Sequence, residues 1–195
     1  MRFIKNEDAI WHTEEYDVVA FGTSIYNMLT NGLQSKLARK YKFLPDLVDT
    51  THYADTRKYG TYLTGGENPM FYIMFVCGFP HKHRDFLDYE GLEKCLTEAN
   101  TNLQGKRVMM PLIGQSHFDG NGDRERILEI YNRTLTDIDV DIYDYEQLYC
   151  RTECEVVYRK MLIYKYTDHD KFVDLWYDRY NILEKLYLNH NSRTT

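Results

Sequence analysis

Two apolar runs, DVVAFG at 17–22 and RVMMPLIG at 107–114, constrain the fold more than any other feature of this chain. Both read as buried strands, the second apolar almost throughout, as in a strand covered on two faces. Each leads through small and polar residues into an amphipathic helix. After the first, NGLQSKLARKY places Leu33, Leu37 and Tyr41 at i, i+4 and i+8, with Lys36, Arg39 and Lys40 toward solvent and the carboxyl end. After the second, DRERILEIYNRTL at 123–135 repeats Ile127, Ile130, Tyr131 and Leu135, and Asp123 is the predicted N-cap. Strands alternating with helices in this way favour a sheet with helical crossovers.

The other segments fit that frame. RFIKN at 2–6 predicts a short edge strand, and EDAIWHTEEY a short helix or loop. Pro45 is expected to end the first helix or to begin the next turn. YGTYL and MFYIMFV read as strands paired through the turn GGENP. DYEGLEKCLTEANTNLQ, 88–104, carries Leu92, Cys95, Leu96, Ala99 and Leu103 at helical spacing behind Asp88 as N-cap, and DVDIYDY at 139–145 alternates as a strand. The predicted order is β, β, α, β-hairpin, α, β, α, β up to about residue 148, an α/β domain with a mixed sheet sandwiched by helices. Ligands of such sheets bind beyond the carboxyl ends of central strands. Two loops belong there: GTSIYNMLTNG at 22–32 and GQSHFDGNGD at 114–123.

Each loop combines a strand exit, small residues and a helix start, so its backbone N–H groups suit a phosphate. An ordinary strand-to-helix connection uses the same residues for tight turning, and neither a Walker motif nor GxGxxG occurs. With 24 basic and 30 acidic side chains the net charge is −6, which disfavours a duplex-nucleic-acid binder and leaves room for a local anion pocket. Ser24 reads either as a ribose or phosphate contact or as a turn former. Asn27 offers a diol both a donor and an acceptor. His117 and Asp119, two residues apart, are a candidate base and its orienting acid, against the plainer reading of a solvated loop. Phe118, Tyr26 and Tyr143 suit stacking on a flat ligand, and Tyr143 suits the core equally. HKH at 81–83 falls short of a zinc site, and Cys77, Cys95, Cys150 and Cys154 form no CxxC pair, so reduced thiols are expected. No leader and no membrane-length apolar run is present, and a soluble, intracellular protein is the expectation.

The pieces FIKNEDAI, YDVVAFGTSIYNMLTNGLQSKLARKY, DTRKYGTY, DYEGLEKCL, GKRVMMPLIG, GDRERILEIYNRTL and DVDIYDY, spanning residues 2–147, resemble the macro domain family in order and spacing. The resemblance is to small single-domain members that remove phosphate or ADP-ribose groups, bacteriophage forms included. It implies a three-layer α/β/α domain over 1–148 that binds ADP-ribose or a related NAD-derived nucleotide without cofactor or metal. Asp8, with Glu7 as the neighbouring alternative, would hold the adenine amino group. Asn27, Met28, Leu29, Thr30, Asn31 and Gly32 occupy the loop that in the family surrounds the distal ribose and diphosphate, with Gly22 and Ser24 as ligand-binding candidates at its start. Gly114, Gln115, Ser116, His117 and Phe118 would form the second phosphate loop, and Asp119 and Asp123 lie where some members place a catalytic or ribose-directed acid. Two functions stay open: hydrolysis of an ADP-ribosyl or terminal phosphate linkage by an activated water, with Asp119 and His117 as the catalytic pair, or a non-catalytic module that sequesters an NAD-derived signal or serves protein interaction, an anti-defence role if phage-borne. The expected location is the cytoplasm, the host's in the phage case.

Residues 149–195 exceed that unit. CEVVYRKMLIYKYT has strand length, and HDKFVDLWYDRYNILEKLYL repeats Phe172, Leu175, Trp176, Tyr180, Leu183 and Leu186 near helical spacing. Such an aromatic helix packs on its own domain, forms a homodimer surface or covers the crevice as a lid.

Overall fold

The computed structural model describes residues 1–5, 7–29, 32–78, 85–115 and 120–144. The HKH segment and the C-terminal extension lie outside the described residues.

Six strands form one sheet in the order β1-β6-β5-β2-β4-β3. They are β1 (Arg2–Lys5), β2 (Val18–Ser24), β3 (Thr61–Gly65), β4 (Met70–Cys77), β5 (Arg107–Pro111) and β6 (Asp139–Asp144). All pairings are parallel except the β3–β4 hairpin. The helices are α1 (Gly32–Lys40), α2 (Phe43–Asp49), α3 (Tyr89–Asn102) and α4 (Arg124–Thr134). Single 3-10 turns at Ala9–Trp11 and Thr13–Glu15 occupy the segment expected as a short helix or loop, and a third spans Thr56–Lys58.

Successive residues of β2 feed opposite faces of the sheet, as the strand period of two requires. Val18 and Ala20 join a core with Leu92 and Leu96 of α3 and Ile127 and Ile130 of α4. Val19 and Phe21 join a second core with Leu37 of α1 and Leu44 and Val48 of α2. The layers are therefore α3/α4, sheet and α1/α2. Full burial of each Val, Leu, Ile or Phe contributes roughly 1.5–3 kcal/mol, so the central strands anchor both cores.

Three local expectations change. Pro45 neither ends α1 nor opens a turn; it sits in the first turn of α2, where backbone N–H groups lack intrahelical partners and a missing one costs little. Asp88 occupies the N-cap position of α3, but its side chain makes no capping hydrogen bond. β6, whose alternation implies one wet face, is covered on both sides from Val140 to Asp144. Its two inner aspartates are buried because each meets an arginine. Asp141 accepts from Arg2 Nε at 2.8 Å and Nη2 at 2.5 Å, and from the Tyr16 hydroxyl at 2.7 Å. Asp144 accepts from Arg124 Nη1 at 3.0 Å and Nη2 at 2.6 Å.

Candidate functional site

The site follows from topology. β2 and β5 are parallel neighbours, yet their onward connections leave in opposite directions. From β2 the chain passes through α1, α2 and β3 to β4 on one side, and from β5 it passes through α4 to β6 on the other. Loops that diverge from adjacent strands open a crevice at their carboxyl ends.

The first loop is fastened at several points. Pairing of β2 with β4 shifts register between Thr23 and Ser24 and continues through Ile25 N to Cys77 O at 2.9 Å. Ser24, buried, accepts from Tyr26 N at 3.3 Å with its hydroxyl and from Asn27 N at 3.1 Å with its carbonyl, which is turn-forming chemistry. Thr23 Oγ1 donates to Met28 O at 3.1 Å. Asn27 has φ 54°, in the left-handed region that asparagine tolerates better than most residues. Its amide is occupied within the protein: Oδ1 accepts from Lys58 Nζ at 2.5 Å and Thr51 Oγ1 at 3.1 Å, while Nδ2 donates to Thr51 O at 3.1 Å and to Asp49 Oδ1 at 3.4 Å. Gly32 begins α1, and Gln34 Nε2 donates to Gly22 O at 2.6 Å, closing the helix onto the strand. Gly22 itself permits close packing, since a Cβ there would stand 2.4 Å from Ile113 Cγ2 at the exit of β5.

The second loop is closed at its base. Gly122 N donates to Gly114 O at 2.8 Å, and Phe86 N to Gly120 O at 2.8 Å. Gly114 has φ 86° with Leu87 packed on its Cα, so the position takes glycine for both reasons. Gln115 is partly buried. Asp123 caps α4, accepting from Arg126 N at 2.8 Å, and its own N–H donates to the Tyr89 hydroxyl at 2.7 Å. Tyr131 of α4 pins the strand exit, donating to Pro111 O at 2.9 Å and accepting from Ile113 N at 3.0 Å.

Asp8 caps the first 3-10 turn and pairs with Lys36 of α1, so the segment after β1 is tied to the helix that the first loop enters. Glu7, its alternative, pairs with His12 at 3.3 Å. The fold thus brings Gly22, Ser24, Asn27, Gly32, Gly114, Gln115 and Asp123 to the exits of two adjacent strands. Asn31, Ser116, His117, Phe118 and Asp119 lie outside the described residues. Tyr143 is buried, at 3.1 Å from the Tyr16 hydroxyl and stacked with His12, which is a packing role.

The residues missed in the sequence come from Thr50–Lys58. Ala54 N donates to Ile25 O at 2.9 Å, which lays this segment beside the first loop. It brings Tyr53, 69% exposed and edge-on to Tyr26 at 5.5 Å, and the buried Lys58. No spacing pattern marks either, and DTRKYGTY enters the sequence reading only as one piece of the family resemblance. A separate groove of about 460 Å³ runs along β1, lined by Arg2, Lys5, His12, Tyr16, Arg107 and Tyr143 among others. No residue of either loop lines it, and Tyr16 and Arg107 stand at the amino ends of β2 and β5, so it is not the switch-point crevice. Among the described residues no group of three or more His, Cys, Asp or Glu side chains is placed to hold a metal. Cys77 and Cys95 are buried, and burial pushes the Cys95 thiol up to about 12.

No protein-family model matches the chain, and no curated protein matches it in sequence. Solved structures do match its fold. A Bacteroides thetaiotaomicron protein of unknown function aligns with a TM-score of 0.60 at 18% identity, over 74% of this chain and 98% of its own. A Streptomyces coelicolor macrodomain protein aligns with a TM-score of 0.54 at 15% identity, over 73% of this chain and 97% of its own. Thermosipho africanus DarTG, solved in complex with ADP-ribose, aligns with a TM-score of 0.56 at 13% identity, over 75% of this chain and 42% of its own.

Proposed function

We propose that this chain, which has the macrodomain fold, binds ADP-ribose or a related NAD-derived nucleotide in the crevice between its two strand-exit loops. The observation that carries this reading is the switch point: β2 and β5 lie side by side, and each ends in a tightly fastened loop leading to a helix. Such loops present backbone N–H groups and a helix amino end, the chemistry that receives a diphosphate. Thermosipho africanus DarTG, part of which shares this fold, was solved in complex with ADP-ribose, which supports the choice of ligand.

Within this reading Asn27 contributes its backbone and the shape of the loop, because its amide is spent on Lys58 and Thr51. Hydrolysis by an activated water rests on His117 and Asp119. Changing either to alanine is expected to lower release of phosphate or ADP-ribose while binding persists, and full turnover in both variants removes them from the mechanism. Sequestration without turnover is the second reading. It is favoured by the engagement of both described site aspartates, Asp8 with Lys36 and Asp123 with the α4 amino end. Titration calorimetry with ADP-ribose tests binding. Long incubation with a terminal phosphate ester of ADP-ribose and with an ADP-ribosylated acceptor, followed by chromatography, then separates the two: intact substrates support sequestration, and released phosphate or free ADP-ribose supports hydrolysis.

A further inference from the structure

Lys58 is 7% exposed, an unusual place for a lysine. Among the described residues no carboxylate lies within salt-bridge distance of its ammonium. The nitrogen donates instead to Asn27 Oδ1 at 2.5 Å and Thr51 Oγ1 at 3.1 Å, and it stands 4.5 Å from the centre of the Phe75 ring. Burial lowers its pKa from the ordinary lysine value, against the pull of Asp55 and Asp49. A cation buried among neutral partners is costly unless those contacts are well formed. Asn27, its shortest partner, is the residue that turns the first loop through a positive φ.

We propose that Lys58 is the positioning residue of the first loop: its buried ammonium clamps Asn27 in the left-handed turn and biases the adjoining crevice toward anionic ligands. The part that concerns ligands rests on the nucleotide-binding reading above; the clamp does not. The ammonium fixes the asparagine oxygen and Thr51 fixes both, so the turn at Asn27 is held from the Thr50–Lys58 segment. A fixed positive charge beside a loop that receives a diphosphate adds attraction for anions in a poorly screened place.

Hydrogen exchange on the free protein tests the clamp without any ligand. Lys58→Met is expected to speed exchange of the Tyr26–Leu29 amides about tenfold or more, leaving β4 and β5 amides unchanged. Lys58→Arg should restore part of the protection. If Lys58→Met impairs folding, Thr51→Val removes the shared hydroxyl without changing side-chain shape and should loosen the same amides. Unchanged loop exchange in both variants overturns the clamp, as does acceleration spread evenly over β4 and β5. Calorimetry with ADP-ribose reads the second part: the Lys58→Met protein is expected to bind about tenfold more weakly, with a smaller salt dependence. Equal affinity and equal salt dependence in wild type and variant overturn the charge role. A wild type that ignores ADP-ribose contradicts the nucleotide reading and with it the ligand bias, while exchange still decides the clamp.

Discussion

Single side chains carry the fine structure of the crevice, and Gly22 is the sharpest case. Its Cα faces the Ile113 side chain, and an added Cβ would also meet Val76 Cγ2 at 3.1 Å. Gly22→Ala should therefore overpack the junction of β2 with the β5 exit and cost about 1–3 kcal/mol in urea unfolding. An unchanged midpoint would mean that Ile113 rearranges at no cost. Asp141 makes a prediction in pH. Burial would raise its pKa, but hydrogen bonds from Arg2 and Tyr16 and the nearby arginine charges outweigh burial, and the pKa falls below the ordinary aspartate value. A carboxylate of this kind contributes stability that is present above about pH 4 and is lost as pH falls through its folded-state value. Arg2→Ala is thus expected to be less stable than wild type at neutral pH, with the gap narrowing in acid. A gap independent of pH would assign Arg2 a packing role only.

At the scale of elements, the two apolar runs made the central strands legible, because residues covered on both faces leave little polar alternation to misread. The helices α1, α3 and α4 were equally legible from their spacing. α2 was not, since seven residues with a proline inside carry too little periodicity to separate from a turn. β6 was legible as a strand but not as a buried one, because its aspartates read as solvent-facing until Arg2 and Arg124, distant in sequence, are placed over them. The same holds for the site. Glycines and short polar residues at strand exits advertise the loops, whereas Lys58 and Tyr53 reach the first loop only through the fold. The Arg124–Asp144 pair joins the start of α4 to the end of β6, with Asp144 almost wholly buried. Arg124→Ala leaves that carboxylate without its bidentate partner, and a loss of about 3 kcal/mol is expected by thermal or urea unfolding. A loss under about 0.5 kcal/mol would show that solvent takes over the arginine's role.

For the molecule as a whole, the sheet order places one topological switch point at the β2–β5 boundary, and the fastened loops stand on it. With a net charge of −6, the general field would not draw an anionic nucleotide, so local N–H groups and the buried Lys58 would have to receive it. Charged ligands should accordingly be discriminated by shape. ADP-ribose is expected to raise the melting temperature in proportion to the logarithm of its concentration above Kd, and inorganic phosphate at equal ionic strength is expected to raise it far less. The most direct measurement is isothermal titration of the full chain with ADP-ribose. Saturable one-to-one binding with a Kd below about 1 mM is predicted. An absence of heat and of thermal shift at millimolar ligand would contradict a nucleotide site in this crevice.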